Sequence, residues 1–389
     1  MSKTNSNIAY WFISVPAKGD KNMVFRKLKD KISGLANEYS ETYQFIIPQF
    51  KIGTLDGLVM ISDELLKFDQ AFEGTTLKLL DILRNLLKGD INLIRANFVV
   101  NEKSIDKYLE TFQWNIQKYR EDKSLQEIAN SLNQEVSGID SLMKKKLADY
   151  NQVKGSLQAL ERKQNGNLSV KNLADFVRKE HFVHDSEHLE TLLFAVSRNL
   201  YKDWYAKYET LTQMVVPRSS IKITEDDDYG LFTVTLFKRV ADDFVNKARE
   251  EGFTYREFKY NEADIENQRK QLQEIGETEK ELSVTLLRLA KTNFGEVFSA
   301  WIHLKALRVY VESVLRYGLP PDFMSSIIKP KHKQEHKVRE VLNKEYGKLG
   351  GILGRDTQSE ENIEEFHNLV DKDYYPYVWF QIHIDLNRR

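Results

Sequence analysis

The sequence predicts an α+β protein with the shape of an elongated dumbbell, in which two mixed α/β globular domains, a head and a foot, are joined by a long antiparallel two-helix neck. Three observations lead to this fold class. The chain has 389 residues, more than an average single domain contains. Its prolines leave residues 49–216 and 218–319 free of this helix-breaking residue. Within both intervals, apolar residues recur at helical spacing over unusually long stretches.

The first long helix, neck helix 1 at residues 118–165, is predicted from a seam of apolar residues. Their mean spacing is 3.5 residues, since ten intervals cover the 35 residues from Leu125 to Leu160. This spacing is typical of a coiled coil, in which one apolar seam packs against another. The seam consists of Leu125, Ile128, Leu132, Val136, Ile139, Met143, Leu147, Tyr150, Val153, Leu157 and Leu160. We therefore expect a second helix to lie beside it.

The second long helix is predicted at residues 262–317 and changes in character along its length. Residues 262–280 contain nine charged side chains, whereas residues 297–315 contain three. At about 1.5 Å per residue this helix is roughly 84 Å long, but a compact globule of the whole chain is only about 54 Å across. Residues 261–287 are therefore expected to form the exposed neck helix 2, and the rest to be buried in a domain.

The end of this helix is marked by Gly318 and the following pair of prolines at 320 and 321. Glycine readily adopts the left-handed conformation found just beyond a helix, and proline cannot continue the helix. We expect a Schellman motif in which Leu319 folds back on Val314.

The neck helices divide the remaining chain into two domains. Residues 166–260 form the predicted head, and residues 1–117 and 288–389 form the foot in two parts. We expect helices at residues 62–87, 168–178 and 331–346, and strands at 8–15, 43–50, 191–196, 221–224, 231–237, 253–260 and 374–384. Because strands are expected near both ends of the chain, we predict that they share one sheet in the foot.

Composition argues against several classes of function. Lys and Arg (57) nearly balance Asp and Glu (58), giving a net charge of -1, so no basic field favours nucleic acid. The absence of cysteine excludes disulfides and thiolate chemistry and fits a cytoplasmic protein. No uncharged apolar run approaches the length of a membrane span, so direct insertion into a membrane is not expected.

Few motifs suggest enzymatic chemistry, and we predict no catalytic residue, metal site or cofactor. The sequence lacks a P-loop, a G-x-G-x-x-G and a G-x-S-x-G. His332, Glu335 and His336 match H-x-x-E-H, in which two histidines would bind zinc and the glutamate would activate water. A lysine-rich helix start with exposed histidines explains the same residues, and no third ligand is identifiable. A zinc metallopeptidase is therefore kept as an alternative function.

One block of sequence carries a family resemblance. Residues 288–321, RLAKTNFGEVFSAWIHLKALRVYVESVLRYGLPP, resemble the C subunits of the eukaryotic V-type proton ATPase in their fungal form. Further matches are FIIPQFKIGTLDGLVMISDELLKFD (45–69), TFQW (111–114), LSVKNLADFV (168–177), SEHLETLLFAVSRN (186–199) and YREFKYNEADIE (255–266). The resemblance covers nearly the whole chain.

The resemblance implies a non-catalytic stator subunit in the peripheral stalk of this rotary proton pump, with ATP hydrolysis on other subunits. It implies a head that binds one peripheral stalk of subunits E and G. It also implies a foot that binds a second such stalk and the cytosolic N-terminal domain of membrane subunit a. Such a subunit resists torque, leaves the complex during reversible disassembly, and lies on the cytosolic face of the vacuolar membrane. Actin is a further candidate partner in this family.

Individual contact residues are predicted from polarity alone. Glu187, His188, Asp226, Asp227 and Asp228 are polar, lie outside the periodic segments and are expected on the surface of the head. The acidic run lacks the spacing of an EF-hand loop, so it is interpreted as a solvated loop or a patch that faces a basic partner. A coiled-coil tether of vesicles or cytoskeleton would have the same predicted shape and is the second alternative function.

Overall fold

The computed structural model describes residues 7–17, 19–33, 39–184, 186–258, 260–349 and 375–385. The chain divides into two compact units, which we call unit 1 (Met1–Lys146 with Thr285–Arg389) and unit 2 (Leu147–Val284). Both long helices run across these divisions, since α5 is Leu125–Asn165 and α8 is Glu262–Tyr317. Helices and antiparallel sheets together make the fold α+β, as predicted.

The described part of unit 1 contains five further helices. They are α1 (Lys21–Ser33), α2 (Leu55–Leu86), α3 (Ile91–Asn97), α4 (Ile105–Glu110) and α9 (Glu335–Tyr346). Several begin at a side-chain cap: the Thr54 hydroxyl accepts from the N–H of Gly57 at the start of α2, and Asp90 caps α3. The cap places the start of α2 at Leu55, earlier than the residue 62 that apolar spacing predicts. α9 begins later than predicted, at Glu335.

The main sheet of unit 1 has the order β10-β1-β9-β2 and is antiparallel. Its strands are β1 (Asn7–Pro16), β2 (Ser40–Gln44), β9 (Phe323–Pro330) and β10 (Val378–Asp385), and a short hairpin adds β3 (Val99–Val100) and β4 (Lys103–Ser104). The first and last described strands are neighbours, with Asn7 opposite Asp385, which confirms that both share a sheet. The strand predicted at 43–50 ends at Gln44, before Pro48.

The core of unit 1 lies on both faces of this sheet. On one face, Trp11, Ile13 and Val15 of β1 are buried in a cluster with residues of α1 and α9. On the other face, the Ser313 hydroxyl of α8 donates to the Ser14 hydroxyl at 2.7 Å. The second half of α8 is therefore buried by the domain, as its composition predicts.

The end of α8 differs from the predicted Schellman motif. Gly318 has a φ of +86°, and its N–H donates to the carbonyl of Val314 at 2.9 Å. The side chain of Leu319 is 66% exposed and is not folded back on the buried Val314. The glycine thus stops the helix as expected, without the apolar contact.

Unit 2 is built on a second antiparallel sheet of order β6-β7-β5-β8. Its elements are β5 (Leu189–Ser197), α6 (Tyr201–Lys207), β6 (Lys222–Glu225), β7 (Tyr229–Phe237), α7 (Ala241–Glu250) and β8 (Thr254–Arg256). One face of the sheet buries Phe194 and Phe232 against Trp204 and Phe244 of the two helices. The other buries Leu193 and Leu231 against Leu168, Leu173 and Val177.

The helix predicted at residues 168–178 is wrong, because this segment is a series of turns. The Asn167 side chain accepts from the N–H of Ser169 at 3.2 Å, and the Asn172 side chain accepts from the N–H of Ala174 at 3.1 Å. Asparagine side chains that bond to backbone two residues ahead compete with helix formation. The apolar residues of the segment are nevertheless buried against the sheet.

Among the described residues, no helix is both long enough and apolar enough to cross a membrane.

Gly230 of β7 is a position where a side chain does not fit. A Cβ placed there would lie 2.2 Å from the hydroxyl oxygen of Tyr201 and 2.8 Å from Cε2 of Phe232. We expect Gly230→Ala to lower the free energy of unfolding of unit 2 by about 1–3 kcal/mol, because both rings must move in a packed core. Hydrogen exchange of the β5 and β7 amides measures this loss.

The matched control is Gly155→Ala in α5, since a Cβ at Gly155 meets nothing within 4 Å. Alanine is favoured over glycine inside a helix, so this variant should be unchanged or slightly more stable. Equal stability of the two variants would contradict the packing argument at Gly230.

Candidate partner-binding and structural sites

The acidic residues predicted to bind a partner lie in the turn between β6 and β7. Asp226 Oδ1 accepts from the N–H groups of Asp228 at 2.9 Å and Tyr229 at 2.6 Å, and Oδ2 accepts from the N–H of Leu168 at 2.6 Å. Partial burial acts to raise the pKa of Asp226, but these backbone hydrogen bonds outweigh it and hold the pKa below its ordinary value. Asp226 therefore fixes the backbone conformation of the loop, and both oxygens of its carboxylate are already engaged in these hydrogen bonds.

The two neighbouring carboxylates are presented differently. Asp227 and Asp228 are exposed, and neither side chain forms an ion pair among the described residues. The backbone beneath them is fixed, because the N–H of Arg198 donates to the carbonyl of Asp228 at 3.0 Å and Arg198 Nε donates to the carbonyl of Asp226 at 2.9 Å. A fixed loop with two free carboxylates can bind a basic surface.

Glu187 and His188 are exposed as well, but they lie immediately before β5, far from the acidic loop. Leu189 at the start of β5 is opposite Phe237, whereas Ser197 at its end is opposite Tyr229. The eight residue-to-residue steps from Leu189 to Ser197 separate the two ends by about 27 Å. The structure therefore does not bring the five predicted contact residues into one patch.

The H-x-x-E-H residues do not form a zinc site. α9 begins at Glu335, so His332 lies in the preceding turn while His336 is on the helix. The His336 side chain is 82% exposed, and its Nδ1 is 3.3 Å from Glu340. An inverted zincin needs both histidines on one helix face together with a further ligand. In the part of the chain that the structure describes, no group of three His, Asp or Glu side chains could hold a metal ion.

A buried ionic cluster, which no sequence pattern indicated, joins α2, α8 and β10 in unit 1. Trp301 Nε1 donates to Asp69 Oδ1 at 2.7 Å, and Lys305 Nζ donates to Asp69 Oδ2 at 2.8 Å. Arg308 forms an ion pair with the same carboxylate. Lys305 also donates to the carbonyl of Gln381 at 3.1 Å. Burial lowers the pKa of Lys305, and the negative charge of Asp69 opposes that shift.

A second buried site surrounds His303 of α8. Its Nε2 accepts from the N–H of Asn115 at 3.1 Å, and its Nδ1 donates to the carbonyl of Ser299 at 2.7 Å. Burial lowers the pKa of His303 to about 4; the hydrogen bond to Ser299 opposes the shift and the nearby Lys118 adds to it. The imidazole is packed among the rings of Phe112, Trp114 and Tyr119. The neutral histidine therefore anchors the loop at residues 111–120.

The same loop binds both long helices within unit 1. Lys118 Nζ donates to Glu135 of α5 at 2.5 Å and to Glu296 of α8 at 2.8 Å. The hydroxyl of Tyr119 donates to Glu135 at 2.7 Å. This loop thus sets the spacing of α5 and α8 where they lie in unit 1.

These sites define a class of protein before they define a family. The buried clusters of unit 1 position helices and strands, which is a structural role, and the exposed carboxylates of unit 2 sit on a fixed loop.

Comparison with known proteins gives the family. A family model for the C subunit of the V-ATPase matches residues 10–378. The V-type proton ATPase C subunit of Manduca sexta is 42% identical over 379 residues, covering 97% of this chain and 98% of that protein. That of Caenorhabditis briggsae is 39% identical over 389 residues and covers 100% of both chains. In Danio rerio, the C subunit designated 1-A is 41% identical over 378 residues, 97% and 98% of the two chains. The chain belongs to the family of V-ATPase C subunits.

Membership confirms the family predicted from residues 288–321. It also confirms the assignment to a non-catalytic peripheral-stalk subunit of the V-type proton ATPase. The two alternative functions, a zinc metallopeptidase and a coiled-coil tether of vesicles or cytoskeleton, have no support from the comparisons. Among solved structures, a cytoplasmic N-terminal domain of the I subunit, a homologue of subunit a of V-ATPase, is 11% identical with a TM-score of 0.31 and covers 86% of this chain and 97% of that chain. A likeness that weak carries no argument about the fold.

Proposed function

We propose that the chain is a strut of the V-ATPase stator. In this proposal unit 2 contains the head (166–260), unit 1 contains the foot (1–117 and 288–389), and α5 and α8 pair antiparallel as the neck between them. The observation that carries the proposal is family membership over nearly the whole chain, together with two long helices that run across the unit divisions. Paired helices resist bending and can transmit a load between distant partners.

Contacts between the two helices within each unit support the pairing. In unit 2, the Tyr150 hydroxyl of α5 donates to Glu279 of α8 at 2.9 Å. In unit 1, Lys118 links Glu135 of α5 to Glu296 of α8. Tyr150 is 7% exposed and Met143 of the same seam is 3% exposed, as expected for residues covered by a second helix.

The proposed partners are those that the family resemblance implies. The head would bind one peripheral stalk of subunits E and G, and the foot would bind a second such stalk and the N-terminal domain of subunit a. On the cytosolic face of the vacuolar membrane, the chain would hold these parts against the torque of rotation. The chain would be held by several polar interfaces of moderate strength, each too weak to hold it alone. Because they hold only in combination, they would release the chain together during reversible disassembly. Actin is a further candidate partner.

Solution scattering and affinity capture test the proposal. The purified chain should have a maximum dimension well beyond the about 54 Å of a compact globule of this length. Tagged protein from cells should recover V-ATPase subunits E, G and a as its main partners. A compact particle would contradict the neck, and trafficking or cytoskeletal factors in place of pump subunits would contradict the stator.

The acidic loop gives a sharper prediction. Replacing Asp227 and Asp228 together by lysine should weaken binding of purified E–G heterodimer on the order of tenfold, because free carboxylates on a fixed loop become repelling cations. Calorimetric titration measures the change, and the salt dependence of the affinity should fall as well. The control is Asp242→Lys with Asp243→Lys on α7, which makes the same charge change on the same unit. Equal effects of the two pairs would exclude a specific role for the loop.

A further inference from the structure

One edge of β5 is only partly covered. On one side β5 pairs with β7 over its whole length, from Leu189 to Ser197. On the other side β8 pairs only with Leu193, Phe194 and Ala195. Residues 189–192 therefore have no strand beside them on the β8 side within the described chain. A sheet edge of this kind is a template on which another chain can pair.

The direction of the backbone groups at this edge follows from their neighbours. The carbonyl of His188 accepts from the N–H of Lys238, so it points toward the end of β7. The N–H of Leu189 donates instead to the Ser186 hydroxyl at 3.0 Å. Because successive residues of a strand point their hydrogen-bonding groups to opposite sides, the N–H and C=O of Thr191 face away from β7. In the described part of the chain, no backbone group is bonded to Thr191 on that side.

The uncovered edge lines a groove with a cavity volume of about 310 Å³. One wall is aromatic: Phe182 stacks on Phe258 with ring centroids 6.1 Å apart, and Tyr260 is 6.4 Å from Phe182. Phe182 and Phe258 pack on the face of the sheet that carries Leu193. Apolar side chains of an added strand would be covered there.

Charged side chains of both signs line the rest of the groove. Lys238 and Arg256 keep their positive charge but already have acceptors, since Lys238 donates to the carbonyl of Ser186 at 2.7 Å and Arg256 to that of Lys171 at 2.6 Å. Glu190 and Glu257 line the groove and have no ion pair within the described residues. Both lie near Tyr255, whose pKa is raised first by burial and then by these carboxylates.

We propose that this groove binds an extended segment of a partner protein in which basic and apolar residues alternate, added as a strand along residues 189–192. Alternate side chains of a strand point to opposite faces, so one set meets the aromatic wall and the other meets Glu190 and Glu257. The site lies at the opposite end of β5 from Asp227 and Asp228 and does not depend on how that loop binds E and G.

Fluorescence anisotropy of the full chain with a labelled peptide of alternating lysine and valine tests this proposal. The peptide should bind, and Glu190→Lys combined with Glu257→Lys should weaken it on the order of tenfold or more. A peptide of alternating glutamate and valine should show the reverse preference. The matched control is the Asp203→Lys, Glu250→Lys chain, which has the same change in net charge at exposed positions of α6 and α7 outside the groove and should bind the lysine peptide as the unaltered chain does.

A third peptide tests the backbone pairing itself. Methylation of the valine nitrogens of the lysine peptide keeps its charges and side chains but removes the N–H groups that a sheet edge needs. Its binding should be lost, and the amide of Thr191 should exchange more slowly when the unmethylated peptide is bound. Three results would each overturn the proposal: no binding of the lysine peptide, an equal effect of the two charge-reversed chains, or undiminished binding of the methylated peptide.

Discussion

Replacing Asp69 by alanine is expected to lower the free energy of unfolding of unit 1 by about 3–5 kcal/mol, because it leaves two buried cations without their counter-charge. The side chains of Lys305 and Arg308 are only 3% and 12% exposed, so neither can recover full hydration without movement of α8. The indole N–H of Trp301 loses its acceptor as well.

Denaturant unfolding followed by tryptophan fluorescence measures this loss, since four of the five tryptophans, Trp11, Trp114, Trp301 and Trp379, lie in unit 1. The matched control is Asp63→Ala, on the exposed side of the same helix, which should change stability by less than about 0.5 kcal/mol. A loss below about 1 kcal/mol for Asp69→Ala would mean that the cations find other partners.

The second large effect is a dependence on pH that centres on His303. Its pKa is about 4 in the folded protein against an ordinary 6.5, so between these values the unfolded chain binds a proton that the folded chain does not. The contribution of the neutral imidazole is fully present above pH 6.5 and is lost as pH falls toward 4. The shift corresponds to about 3 kcal/mol over that window.

Unfolding curves at several pH values between 7 and 5 test this expectation, before most carboxylates titrate. His303→Gln should be less stable at pH 7 but should lose most of the dependence on pH in this window. His336→Gln is the control, because this exposed histidine should leave the slope unchanged. A slope that persists in His303→Gln would assign the effect to other groups.

Periodicity explains how much of the fold could be predicted. The 3.5-residue seam predicted α5, and the short runs IAYWFISV and LFTVTLF, rich in aromatic and β-branched residues, predicted β1 and β7 almost to their ends. β9 was not predicted, because Ser325 and Ser326 interrupt its run of apolar residues. Both serines are nevertheless buried, and the Ser325 hydroxyl donates to the carbonyl of Phe45. At residues 168–178, local side-chain bonds of asparagine overrode an apolar spacing that resembles a helix.

The sites were less accessible to sequence reasoning. Polarity outside periodic segments predicted that Asp227 and Asp228 would be exposed, but not that Asp226 bonds to three backbone N–H groups. Asp69 and His303 each look like a single polar interruption of an apolar helix face. The structural role of each residue depends on a partner that is far away in the sequence. Asp69 is 236 positions from Lys305, and His303 is 188 positions from Asn115. No local pattern encodes such a pair.

The sheet that pairs β1 with β10 has a consequence for synthesis of the chain on the ribosome. Unit 2 is one continuous stretch and can fold as soon as Val284 has emerged, whereas β1 lacks both neighbouring strands until β9 at residues 323–330 is made, and lacks β10 until residues 378–385 are made. At typical translation rates of 5–20 residues per second, the wait for the first of these strands lasts roughly 15–60 s. Throughout it, the nascent chain exposes a strand that is apolar on both faces, and it is this segment that chaperones should hold.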